Sequence, residues 1–250
     1  MQPTESSAVL VALRELEEAD LTDRKGDTVL PAFAPGLDAA RLQRLEEQLG
    51  SRLPDDFRSL AAACARIDGL SIEVDLEDFV SRVGQPEMIH PAWPFAHEGC
   101  GNFWIADLTP GVGSTGGTRT FYLSHDPPVL VYQGAGAAAF LRELVRLHQT
   151  PYQSAIADVL EDCLHEVWEK NPGVVSWQSA MGSDDAELST FAATLGEDYE
   201  FTDLRSADVG MGLSWGRYGP DTIVRRHTAA PIFACAAPRR RPGLLRRLFG

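Results

Sequence analysis

The chain is poor in lysine, has no paired cysteines and carries no long apolar run, and each shortage removes a class of function. No apolar stretch approaches the roughly 18–20 residues that cross a bilayer, so stable membrane insertion is not expected. The opening residues, 1–20, do not read as a secretory leader. No basic residue precedes the apolar patch at 8–13, and Glu15, Glu17, Glu18 and Asp20 follow it. A cytoplasmic protein is the expectation. Cys64, Cys100, Cys163 and Cys235 lie far apart with no CxxC pair, which argues against a disulfide framework and against a structural zinc site. Only Lys25 and Lys170 are lysine, so the positive charge is almost entirely arginine.

What is present is enough apolar residue, 44% of 250, to fill one large core or two small ones, and a strong acidic bias. Asp and Glu number 36 against 22 Lys and Arg, a formal net of −14. Five of those bases, Arg239, Arg240, Arg241, Arg246 and Arg247, sit in an acid-free tail, so residues 1–238 carry 17 bases against 36 acids, a net of −19. Such a body repels phosphate backbones, which speaks against nucleic acid as a partner. The same field speeds association with a basic protein, although simple solubility also accounts for it.

Apolar periodicity predicts helices at 7–19, 38–50, 54–64, 137–148, 153–168 and 184–195. In the second, Asp38 is placed to cap and Gly50 to stop a stripe of Leu42, Leu45 and Leu49. In the third, Pro54, Asp55 and Asp56 suit a first turn, with Phe57, Leu60, Ala61 and Cys64 facing inward. Residues 22–35 read as a linker. Period-2 alternation at 70–77 predicts a strand with Leu70, Ile72, Val74 and Leu76 inward and Ser71, Glu73, Asp75 and Glu77 outward. Further strands are expected at 102–108, 118–124, 129–133, 199–202, 210–215 and 222–226, with turns at 110–117 and 126–128. The order predicts an α+β fold: N-terminal helices, a mostly antiparallel sheet meander, and flanking C-terminal helices.

Several of these residues form a recognisable set. Pro35-Gly36-Leu37-Asp38 leads to Leu45-Glu46-Glu47-Gln48-Leu49-Gly50, then Leu53-Pro54-Asp55-Asp56-Phe57-Arg58 and Leu60. Later come Trp93-Pro94-Phe95 and Gly99-Cys100-Gly101-Asn102-Phe103-Trp104-Ile105-Ala106-Asp107-Leu108, then Val129-Leu130-Val131-Tyr132 and Phe140-Leu141. Over residues 33–147 this resembles the SUKH superfamily, which includes a fungal cell-wall-assembly regulator and many bacterial toxin-immunity proteins. The chain departs from that pattern at Ala65-Arg66-Ile67-Asp68-Gly69, where the family has an Asn-Gly turn; Asp68-Gly69 makes a similar one. Residues 151–250 have no counterpart in the resemblance. It implies a fold that binds proteins and does no chemistry of its own. The implied organisation is an N-terminal helix and linker (1–32), a SUKH-like domain (33–150), an α+β extension packed on it (151–237) and a basic tail (238–250).

Motifs with catalytic or cofactor associations have plainer explanations. Gly212-Leu213-Ser214-Trp215-Gly216 matches a nucleophile elbow, but a turn follows where a helix is required, and Asp221 and His227 come too soon. Gly134-Ala135-Gly136-Ala137-Ala138-Ala139 sits between a strand and a helix like a dinucleotide loop, yet no second parallel strand follows. Gly111-Val112-Gly113-Ser114-Thr115-Gly116 leads into a strand and reads as a hairpin loop. His97-Glu98, Cys163 with His165, and Ser124-His125-Asp126 lack the geometry for metal or triad chemistry. No catalytic residue, metal ligand or cofactor is therefore assigned. The expected function is neutralisation of a basic, cytosol-acting toxin, with Glu73, Asp75, Glu77 and Asp78 as the partner-facing acids. A regulatory interaction module is the alternative, and a hydrolase using Ser214 the remote one. The tail, with Leu244, Leu245, Leu248 and Phe249 among its arginines, is expected to be solvated or folded on the acidic body.

Overall fold

Leu42, Leu45 and Leu49 recur on one face of a helix, α2 (Ala39–Leu49), and all three are buried. The Asp38 side chain accepts the Arg41 N–H at its start, and Gly50, at φ 64°, ends it in the left-handed conformation that glycine adopts without penalty. The structure, a computed structural model, describes residues 5–80, 87–109, 117–228 and 230–237. Before α2 lie helix α1 (Glu5–Glu17) and strands β1 (Leu21–Thr22), β2 (Thr28–Val29) and β3 (Ala32–Pro35). The expected linker is thus largely two hairpin strands and a sheet edge, its prolines bracketing β3 rather than breaking structure.

Helix α3 (Asp55–Ala63) follows Pro54 and runs directly into β4 (Cys64–Asp68), where the backbone turns extended at Cys64. Periodicity masked this strand, because Cys64 continues the helical apolar stripe. Gly69, at φ 82°, makes the turn after it. Strand β5 is short (Glu73–Asp75), and β6 (Ala92–His97), β7 (Phe103–Asp107), β8 (Arg119–His125) and β9 (Pro128–Ala135) complete a meander. Helix α4 (Ala137–Leu147) follows, then α5 (Ala155–Asp158) and α6 (Leu164–Lys170) with a π segment, Val159–Cys163, between them. The remainder is β10 (Val174–Ser176), α7 (Trp177–Met181), α8 (Ala186–Ala193), β11 (Tyr199–Asp203), β12 (Gly212–Leu213), β13 (Ile223–Arg226) and β14 (Ile232–Ala236). The expected turn at 110–117 falls outside the described residues apart from Gly117, and the basic tail lies outside them entirely.

Eight strands form one antiparallel sheet in the order β12-β9-β8-β7-β6-β5-β4-β3, and four form a second in the order β10-β11-β14-β13. The fold is therefore α+β, as the element order predicts. Among the described residues, three cores separate four layers. Helices α1–α6 pack on one face of the large sheet through Phe57, Trp93, Phe95, Trp104, Tyr122, Val131 and Phe140. Phe57 meets Trp93 and Phe95 edge-on, with ring centroids 5.7 and 4.8 Å apart, and Phe95 meets Phe140 at 4.9 Å. The opposite face packs on the smaller sheet through Ile105, Phe121, Leu130, Phe233 and Cys235. The far side of the smaller sheet, Phe201, Ile232 and Ala234, is covered by α7 and α8 through Ala180, Leu188 and Phe191. Strict alternation along β14 puts Phe233 and Cys235 on one side and Ile232 and Ala234 on the other, as a strand buried on both faces requires.

Candidate functional site

The second sheet has half as many strands as the first, so among the described residues it leaves part of the large sheet's outer face uncovered. Among the described residues, the core between the sheets takes no side chain from β3, β4 or β5. On that half, Ala34, Arg66 and Asp75 sit in register across three strands. The turn after β5 rises beside them and approaches the N-terminal part of α2.

This arrangement corrects the expected acidic outer strand. Leu70, Ile72, Val74 and Leu76 are all buried in the core, so the alternation holds, and Asp75 lies on the opposite side in register with Arg66, yet it is only 4% exposed. The chain bends at 76–78, and the Asp75 carboxylate turns in to accept the backbone N–H of Glu77 (3.1 Å) and of Asp78 (3.0 Å), an Asx-type turn. Glu77 is half-buried and ion-paired with Arg41 of α2. Glu73 lies 3.8 Å from the ring of His97, which stacks on Phe79 at 4.7 Å between centroids. Asp78 is the exposed member. The structure thus gathers Asp75, Glu77 and Asp78 into one turn, places Glu73 further along β5, and interleaves arginines that sequence reasoning passed over.

Two clefts result. One, of about 210 Å³, lies between α2 and the turn, with Arg41, Arg44 and Gln48 on one wall, Glu77 and Asp78 on the other, and Leu37 and Leu45 beneath. The second, of about 190 Å³, is floored by Ala34, Arg66 and Asp75 and shares Arg41, Glu77 and Asp78 with the first. The Arg41–Glu77 pair therefore lines both. Arg66 donates to Asp68 at 2.8 Å; that hydrogen bond and charge, with Asp75 and Asp78 beyond, hold the guanidinium above its ordinary pKa. The face is one of mixed charge, with Arg41, Arg44 and Arg66 set among Asp75, Glu77 and Asp78, rather than an open run of carboxylates. The missed arginines had a weak sequence signal: Arg66 stands two residues before Asp68, so the two share a strand face.

The motif residues sit elsewhere. Ser214 is 1% exposed, its N–H donates to Asn171 Oδ1 at 3.2 Å, and residues 215–218 form a turn. Its hydroxyl oxygen is buried as well. In the 134–139 segment, Gly136 at φ 89° precedes α4, but the buried carboxylate of Asp56 already occupies the helix start. It accepts the Ala137 N–H at 2.9 Å and the Thr118 hydroxyl at 2.8 Å. An anion at this helix end would meet a resident negative charge. Residues 111–116 lie outside the described residues. Ser124 is buried and accepts the Asp126 N–H, while His125 turns to Asn102, its Nδ1 2.6 Å from Oδ1. Cys163 lies in the π segment beside Gly210, and His165 is exposed on α6. Among the described residues, no three His, Cys, Asp or Glu side chains gather as a metal site, and no helix is long and apolar enough to cross a membrane.

No family model matches the chain, and no curated protein matches it.

Proposed function

We propose that this protein is a non-enzymatic binding module that neutralises a basic, cytosol-acting toxin by covering its working surface. The observation that carries this reading is the exposed half of the large sheet, where the 75–78 turn, α2 and β4 surround two adjoining clefts lined by Asp75, Glu77 and Asp78 together with Arg41, Arg44 and Arg66. Three further features support it. The body is strongly acidic, which steers a basic partner in. The resemblance in residues 33–147 is to a superfamily rich in immunity proteins. Ser214 is buried, and the helix start after the 134–136 glycines is already hydrogen-bonded to Asp56. Of the acids, Glu73, Glu77 and Asp78 are the partner-facing candidates, and Asp75 shapes the turn that presents two of them.

The test is a tagged pull-down at low salt from the source cells, followed by binding measurements on the captured protein. One basic protein in near-equal amount to the bait, inhibited when bound, is the expected result. Its affinity falls at least tenfold in a Glu73→Lys/Asp78→Lys double variant and falls again as salt is raised. Capture of abundant housekeeping proteins alone, or a partner indifferent to these replacements, overturns the reading.

A further inference from the structure

The cleft between α2 and the 75–78 turn carries opposite charges on opposite walls. Arg44 on the helix side and Asp78 on the turn side are both exposed. Among the described residues neither is in an ion pair, although Asp78 acts at longer range on Arg66 of the adjoining cleft, whereas Arg41 and Glu77 in the same lining hold each other. The floor, Leu37 and Leu45, is apolar and each is 4% exposed. A purely cationic ligand would satisfy Asp78 and be repelled by Arg44 and Arg41. A purely anionic one would meet the reverse, since Glu77 and Asp78 face it. Opposed charges over an apolar floor fit a ligand that has both signs and a short apolar body between them.

We propose that this cleft binds a small organic zwitterion, with its ammonium at Asp78, its carboxylate at Arg44 and a methylene chain over Leu37 and Leu45. The site goes beyond the toxin-binding reading and does not depend on it, since a small ligand is bound whether or not a protein partner exists. The cleft is open to water, so each charged contact is weak and the loss of one is a few-fold change in affinity. The chemistry is a binding step alone, with no bond made or broken.

The experiment is a titration of the full chain, followed by the Arg44 side-chain N–H and the backbone N–H of Gln48, Glu77 and Asp78 in nuclear magnetic resonance spectra. The probe is 6-aminohexanoate. Its methyl ester keeps only the cation, and its N-acetyl derivative keeps only the anion. The expected result is saturable shifts with the zwitterion and about fivefold weaker binding of each single-charge analogue. Arg44→Gln and Asp78→Asn each lower the zwitterion's affinity to that of the matching analogue, and both are surface changes that leave the fold intact. Equal binding by the ester and the zwitterion would show an acidic patch only and overturn the proposal. So would absence of saturable shifts at these four residues. A toxin captured by the pull-down above, with no zwitterion effect here, would leave the partner reading standing and remove this one.

Discussion

Arg226, on the edge of the smaller sheet, clasps Asp107 at the end of β7, with Nη2 2.7 and 2.8 Å from the two carboxylate oxygens. Both side chains are almost wholly buried, at 7% and 1% exposure. The Arg226 guanidinium also donates to the Ile89 carbonyl and the Thr109 hydroxyl, and it lies 5.4 Å from the Phe233 ring centroid. Asp107 in turn accepts the N–H and the hydroxyl of Thr109. A charge pair so enclosed ties the two sheets together at one point between residues 119 apart in sequence.

Removing one partner of that pair strands a buried charge. Arg226→Met is expected to destabilise the fold by about 3–5 kcal/mol, and Asp107→Leu by a similar amount. The double replacement is expected to cost clearly less than the sum, because neither charge is then left behind. Urea unfolding of the three variants measures the coupling. Strict additivity would mean that the pair does not act as a unit.

Asp56 joins the α3 start to the α4 start. Asp56→Ala leaves the buried Ala137 N–H and Thr118 hydroxyl without their acceptor and is expected to cost about 1–3 kcal/mol. Asp56→Asn keeps one carbonyl oxygen and is expected to cost less. Denaturant midpoints rank the two, and equal losses would point to negative charge at the helix end as the dominant contribution.

His148 gives a pH dependence whose sign follows from its burial. Its ring Nε2 lies 3.1 Å from the Ser71 hydroxyl, and loss of hydration holds its pKa below the ordinary histidine value of 6.5. The unfolded chain therefore takes up a proton first as pH falls. Stability is lost from about pH 6.5 down to the folded-state pKa and is flat below it on this residue's account. In melting scans from pH 8 to 5, the gap between wild type and His148→Gln is expected to narrow below pH 6.5. A constant gap would show that His148 titrates alike in both states.

Gly36 has a local explanation that needs no appeal to flexibility. A Cβ at this position would stand 1.9 Å from the Ala62 carbonyl oxygen, in backbone that a side-chain rotation cannot clear. Gly36→Ala is expected to cost about 1–3 kcal/mol as an overpacked site. Gly26→Ala meets no atom within 4 Å and pays only for its positive φ of 88°, so it makes the matched comparison. Thermal melts of the two separate crowding from backbone strain.

The fold was legible where local chemistry and burial agree. The cap at Asp38, the stop at Gly50 and the leucine stripe between them all appear in the sequence, and so do the α4 helix and the β7–β9 meander. Strand β4 was hidden because Cys64 extends the pattern of α3 while its backbone has already changed state. Strands β3 and β14 were hidden because pairing partners far away in sequence define them, and Ile232–Ala236 is buried on both faces, so its sequence has no polar–apolar alternation. The candidate site was half legible. Alternation located Glu73 and the side on which Asp75 stands, but not the turn at 76–78 whose N–H groups engage the Asp75 carboxylate and leave it buried. The pairing of Arg41 with Glu77 depends on the approach of α2 to that turn, which no local pattern encodes.

Strand β12 pairs with the outer edge of β9, Gly212 opposite Val131, and the Tyr132 N–H donates to the Met211 carbonyl beside it. During synthesis from the N-terminus, β9 emerges long before the segment that covers it. A nascent meander therefore waits with a bare, strongly apolar strand as its last edge, the kind of surface that templates pairing between chains. Residues 210–213 shield that edge within the chain, supplying the cover that a product truncated before them would seek from its neighbours.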